Sequence, residues 1–139
     1  MKSTLLAIAL LAATAAGAQS PAGRADVALA PEEREYVLGE MRDFLSMLEK
    51  MAAALAQGDF DVVAAAAKPL GTGGDRGRMP PAIAKKLPPE FRMLARSAHE
   101  QIDAIAADAA QRDARRTLEQ TGRLLQTCNA CHAAFRFPN

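Results

Sequence analysis

Two cysteines lie close together near the C-terminal end of the chain, and a histidine directly follows the second. Cys128, Cys131 and His132 form the pattern C-x-x-C-H. On a helix the two cysteines are one turn apart, so both thiols can form thioethers with the vinyl groups on one edge of a porphyrin. The imidazole of His132 lies one turn beyond Cys128 and can reach the iron from one face. The pattern predicts one covalently attached haem c, with His132 as an axial iron ligand.

Other chemistries also use paired cysteines. A thioredoxin-like redox pair usually accompanies a βαβ pattern, which this sequence lacks. A zinc site needs four ligands, and only Cys128, Cys131, His132 and His99 are of the usual type. A structural disulfide between the two cysteines remains an alternative. If the haem motif is accidental, the chain is instead a haem-free helical interaction protein.

The elements that must position these residues are amphipathic helices. The spacing predicts one helix from Pro31 to Gly58, a second over about 60–68, a third from near Glu90 and a fourth from near Asp113. The expected buried stripe of the first helix is Val37, Met41, Phe44, Leu48, Met51 and Leu55. That of the third is Phe91, Leu94, Ala98, Ile102, Ile105 and Ala109. Because no strand pattern occurs, we expect an all-α, antiparallel four-helix bundle.

The fourth helix joins the haem motif to the expected core. Its predicted buried stripe is Ala114, Leu118, Thr121, Leu125, Cys128, His132 and Phe135. This continuity predicts that the haem lies inside the bundle, where it would supply bulk to a chain with 4% aromatic residues and no Trp. The glycine- and proline-rich stretch 71–89 predicts a long connection that contains no further helix.

The N-terminal residues have the pattern of a secretory signal. A positive start precedes an apolar run over 5–16, and Ala16-Gly17-Ala18 supplies the small residues of a cleavage site. We therefore expect a signal peptide over 1–18, a flexible lead-in over 19–30 and a haem domain over 31–139. An uncleaved membrane anchor is the alternative. After cleavage we expect no stable membrane span. The expected destination is a bacterial periplasm.

The charges of the chain nearly balance. With 17 basic and 16 acidic residues, nucleic-acid binding is not expected.

The C-terminal sequence resembles that of the cytochrome c prime, or class II cytochrome c, family. The resemblance rests on the late position of the motif and on the ending C-x-x-C-H-x-x-aromatic-Arg, formed here by residues 128–136. It implies a haem inside a four-helix bundle and often a homodimer. It also implies that Arg136 lies beside the haem. The segment from Tyr36 to Met41 is similar to the family's distal segment, although Val37 replaces a frequent Arg. This register makes Met41 the sixth iron ligand, as in the low-spin cytochrome c-556-like branch.

The expected function follows from the iron coordination. With His132 and Met41 as axial ligands, we expect an electron carrier that exchanges single electrons with redox partner proteins, and no enzymatic activity. An open distal site would instead predict a five-coordinate cytochrome c prime that binds small gases such as NO or CO. His99 is a second candidate for the sixth ligand. We favour a partly exposed or locally hydrogen-bonded role for it.

Overall fold

A computed structural model describes residues 23–75 and 79–138. This part of the chain is mostly helical and all-α, with two strands of two residues each. The helices are α1 (Pro31–Ala56), α2 (Phe60–Ala67), α3 (Pro81–Ala84), α4 (Pro89–Ala110) and α5 (Ala114–Ala134), with a 3-10 helix at Lys68–Leu70. The strands are β1 (Ala25–Asp26) and β2 (Phe135–Arg136). The expected signal peptide lies outside the described residues. No helix in the described ranges is both long and apolar enough to cross a bilayer.

The four main helices begin within one residue of the predicted positions, and α1 and α2 end within two residues of them. Pro31 occupies the first turn of α1, and the Glu33 carboxylate accepts a hydrogen bond of 3.0 Å from the Ala30 backbone N–H. Gly58 follows α1 in the left-handed conformation, with φ of 69°. Asp59 caps α2 by accepting from the Val62 N–H, and Asp113 caps α5 by accepting from the Arg116 N–H. Local capping chemistry therefore determines these boundaries.

The stretch 71–89 contains one short helix that the sequence prediction missed. Pro81 begins α3, whose single turn buries Ile83, and Leu87 is buried just beyond it. The prolines that argued against a long helix are compatible with one turn, because proline suits the first helical position. The prediction that this connection contains no helix was therefore wrong, because residues 81–84 form one helical turn. Two buried apolar side chains anchor the segment to the core.

The lead-in expected to be flexible is packed in its described part. Strand β1 pairs in parallel with β2, and Ala25 lies opposite Phe135. The Val27 N–H donates to the Arg136 carbonyl at 2.9 Å, and only 2% of Val27 is exposed. We call residues 23–30 the N-terminal arm. A short backbone ladder and one buried valine hold the arm beside the end of α5.

The buried side chains form two clusters. The first joins α1, α2, α4 and α5 and includes Met51, Ile102, Ile105 and Leu124. The second joins the arm to α1, α4 and the segment after α5, and consists of Val27, Val37, Ile83, Leu87, Phe91 and Phe135. Close backbone packing occurs between α4 and α5, between α2 and α4, and between α1 and α2. Helices α1 and α5 are not among these closely packed pairs, so a space separates them.

The first half of helix α5 buries a face that differs from the predicted stripe. Leu118 is 57% exposed and Leu125 is 44% exposed, whereas Thr117 and Leu124 are buried. Burial of Thr117 is tolerated because its hydroxyl donates to the Asp113 carbonyl at 2.7 Å. The prediction that Ala114 and Leu118 are buried was therefore wrong, since both are exposed, whereas Leu125 and His132 are exposed toward the space between α1 and α5.

Two leucines of α5 provide a matched test of which face of this helix is buried. Leu124→Ala removes a side chain that is 1% exposed and should lower the free energy of unfolding by about 3 kcal/mol. Leu118→Ala removes an exposed side chain of the same kind and should change it by less than about 0.5 kcal/mol. Urea denaturation monitored by circular dichroism measures both. Equal losses, or a larger loss in Leu118→Ala, would contradict the observed face of α5.

Candidate functional site

The space between α1 and α5 is a cavity of about 540 Å³. Helix α4 forms its third side, with Phe91, Leu94 and Ala98 in the wall. The volume lies in the range of about 300–1,000 Å³ typical of ligand and cofactor sites. The cavity brings together Met41 from α1 and Cys128, Cys131 and His132 from α5. Four of the five predicted site residues therefore share one predominantly apolar cavity. We call it the main cavity.

Each cysteine is half-buried and packs against a different core cluster. Cys128 contacts the first cluster and Cys131 contacts the second. Both thiols are free in this structure. Burial raises the pKa of each thiol, and the charge of Cys128 raises the pKa of Cys131 further. Redox-active C-x-x-C pairs use a lowered thiol pKa, so this environment argues against a thioredoxin-like pair. The half-buried environment instead keeps both thiols protonated and positioned beside the apolar cavity.

The two candidate iron ligands approach the main cavity from different helices. His132 is exposed in the last turn of α5. Met41 is partly buried on α1, where it packs against the second cluster. The predicted stripe of α1 explains this position, because Met41, Phe44 and Leu48 all line the cavity. His132 lines the cavity together with Leu125 and Cys128, which belong to the same predicted stripe of α5.

Arg136 lies outside the wall of the main cavity. It is in β2, where its Nε donates to the Asp26 carboxylate at 2.5 Å. It lines a second cavity of about 390 Å³, to which Met41, Cys131 and His132 also contribute. We call this the arginine cavity. Arg136 therefore lines a cavity together with His132 and is already paired with Asp26 of the N-terminal arm, a contact that has no signal in the sequence.

His99 also lines the main cavity, and its ring is fixed by two contacts. Its Nδ1 lies 2.7 Å from the Leu70 carbonyl oxygen, and its ring packs edge-on against Phe44 at 5.3 Å between centroids. Because a carbonyl only accepts, Nδ1 must carry the proton in this contact. His99 is therefore partly exposed and hydrogen-bonded, and the absence of iron ligation by it stays a prediction.

Glu40 is a cavity residue that the sequence prediction missed. Burial raises its carboxyl pKa to about 7, while a hydrogen bond from Tyr36 opposes this shift and the charge of Asp43 adds to it. Its Oε1 atom is buried without a hydrogen-bond donor among the described residues. A signal was present in the sequence, since Glu40 is three residues after Val37 and four before Phe44. Helical spacing therefore places it at the edge of the apolar stripe.

Comparison with known proteins identifies no relative. No family model, no curated protein and no solved structure matches the chain. Within residues 23–75 and 79–138, no three His, Cys, Asp or Glu side chains come together as they would around a metal ion. The zinc alternative therefore has no geometric support in the described part of the chain. The site offers instead two thiols, the imidazoles of His132 and His99, and the thioethers of Met41 and Met79 around a predominantly apolar cavity.

The raised pKa of Glu40 predicts a pH-dependent effect of its replacement. A raised carboxyl pKa means that the folded state loses stability as the pH rises from about 4.5 to about 7. Glu40→Gln removes this loss, so the variant should be more stable than the parent at pH 8, by about 1 kcal/mol because solvent screens a partly exposed group. The difference should nearly vanish at pH 4.5.

Urea denaturation at both pH values measures this effect. The matched control is Glu49→Gln, which replaces an exposed glutamate on the same helix. A gain from Glu40→Gln that is equal at pH 4.5 and pH 8 would contradict the role of burial.

Proposed function

We propose that the protein is a c-type cytochrome that carries single electrons. Its haem domain would be a four-helix bundle of α1, α2, α4 and α5, similar to the cytochrome c prime family. The observation that supports this proposal most strongly is the main cavity, in which residues far apart in the sequence meet. Cys128, Cys131 and His132 line it from α5, and Met41 lines it from α1.

The residues of the cavity fit a haem c group. The two thiols are one helical turn apart and half-buried, so they suit thioethers on one porphyrin edge. His132 and Met41 would supply the two axial ligands. A haem iron held by histidine and methionine gains or loses one electron, and the thioether raises its reduction potential. The apolar side chains around the cavity exclude water and disfavour the extra positive charge of Fe(III).

The cellular setting forms part of the proposal. The leader pattern over 1–18 supports export to the periplasm, where redox partner proteins would deliver and accept the electrons.

Binding of NO or CO is the second candidate function. Met41 lies between the main cavity and the arginine cavity and contributes to both. A thioether turned toward the arginine cavity would leave the distal iron position open to a small gas.

Covalent attachment of haem is tested by replacing the cysteines. Cys128→Ala and Cys131→Ala should each weaken attachment, because one thioether remains. The double variant should lose covalent haem completely. Haem retained after denaturing acid-acetone extraction is the measurement. Asn129→Ala, at an exposed position between the two cysteines, should retain the parent amount of haem. Parent protein that releases its haem would contradict the proposal.

Electron transfer and gas binding are distinguished at Met41. Met41→Ala should convert a low-spin iron into a high-spin iron that binds CO, because it removes the sixth ligand. Absorption spectra of the oxidised and reduced protein, with and without CO, measure this change. Met47→Ala is the control, because Met47 is a buried methionine on the same helix that does not line the cavity. A parent protein that is already high-spin and binds CO would favour gas binding instead.

A further inference from the structure

The arginine cavity adjoins the main cavity at the end of α5. The two cavities share Met41, Cys131 and His132, together with Leu38 and Phe91. The distinctive lining of the smaller cavity is three arginines from three separate elements, namely Arg24 from the arm, Arg34 from α1 and Arg136 from β2. No carboxylate is among its lining residues in the described part of the chain. Arg136 pairs with Asp26, and the lining of this cavity still has an excess of positive side chains.

The fold holds the arm so that Arg24 faces this cavity. Residues 25–27 directly follow Arg24 and are held in place by the fold. Residues 25 and 26 pair with β2, Asp26 also forms an ion pair with Arg136, and Val27 is buried. Arg24 Nε is buried without a hydrogen-bond acceptor among the described residues. A buried guanidinium N–H that lacks an acceptor is costly, so the position favours an anion in the cavity.

The geometry indicates which anion suits this site. Arginine binds carboxylates through two parallel N–H donors, and several arginines together suit a ligand that carries more than one carboxylate. A haem c carries two propionate carboxylates on the porphyrin edge opposite its thioethers. Met41 and His132 line both cavities and would place the iron between them, and Cys128 lines the main cavity alone, so the opposite edge would reach toward the arginine cavity. We propose that Arg24 and Arg34 bind the haem propionates, with Arg136 completing the positive wall. This inference rests on the proposed function.

The arginines would also influence electron affinity. Fe(III) haem carries one more positive charge than Fe(II) haem, so cations beside it favour the reduced state. In the low dielectric of a partly buried site this influence exceeds that of a surface charge. Arg24 and Arg34 would therefore raise the reduction potential in addition to orienting the haem.

The test compares variants of the haem-loaded protein. Arg24→Gln should lower the reduction potential, and the Arg24→Gln/Arg34→Gln double variant should lower it further. Arg24→Lys should restore most of the potential, because it keeps the charge. Arg115→Gln is the control for net charge. Arg115 lies in an exposed pair with Glu119, about 24 Å along α5 from Cys131 at 1.5 Å per residue. Its effect should be several times smaller than that of Arg24→Gln.

Two measurements keep the outcomes distinct. Spectroelectrochemical titration gives the potential, and proton NMR of the oxidised protein reports the propionate methylene groups. Arg24→Gln should shift the propionate signals while haem attachment and spin state remain those of the parent. Potentials and propionate signals that are the same in Arg24→Gln and Arg115→Gln would overturn the proposal. A parent protein without covalent haem would instead show that the proposed function itself fails.

A free anion is the competing occupant of the arginine cavity. Inorganic phosphate, added to the parent at constant ionic strength, should leave the reduction potential unchanged if the propionates bind the arginines. A potential that depends on phosphate in the parent but not in Arg24→Gln would assign the arginines to a free anion. That result would overturn the propionate assignment.

Discussion

The separation of α1 from α5 is the constraint on which the rest of the site depends. Protein interiors pack almost as densely as organic crystals, so two amphipathic helices in one small domain would ordinarily close against each other. Here α2 and α4 are packed between them on one side, and the arm with α3 supports the other end. The main cavity exists because these contacts hold α1 and α5 apart while leaving their facing surfaces apolar.

The two core clusters give the cavity rigid ends. Cys128 packs on the first cluster and Cys131 on the second, so the three-residue step between them spans the junction of the clusters. A group bonded to both thiols would be tied to the whole domain and not to one loop. A haem positioned by packed side chains would suit the proposed electron carrier, because electron transfer is favoured when the surrounding protein rearranges little.

The sequence predicted the helices better than the faces they bury. Proline, glycine and aspartate at the helix ends act locally, so Pro31, Gly58 and Asp113 were sufficient to predict the boundaries. The face of α5 depends on its partners, and apolar periodicity favoured Leu118 over Thr117. It could not account for Thr117, whose hydroxyl is satisfied by the helix backbone and is therefore buried at low cost.

The sequence predicted those residues of the candidate site that form a short motif of neighbouring residues. The C-x-x-C-H pattern singled out Cys128, Cys131 and His132 without any knowledge of the fold, and the resemblance to the cytochrome c prime family singled out Met41, which lines the same cavity. Arg24 carried no comparable signal. Strand β1 has two residues, too few for a periodic pattern, and its partner β2 is at the other end of the described chain. Only the tertiary fold brings Arg24 to the cavity.

Charge is distributed unequally around the proposed haem. Glu40 contributes to the main cavity wall, but burial raises its pKa to about 7, so its negative charge is only partly present at neutral pH. At the arginine cavity, the carboxylate of Asp26 engages Arg136, whereas Arg24 and Arg34 add positive charge to the lining. A porphyrin with two carboxylates on one edge and an apolar remainder matches this asymmetry. The N-terminal arm, which supplies both Asp26 and Arg24, would therefore balance the charge of the cofactor as well as close the end of the fold.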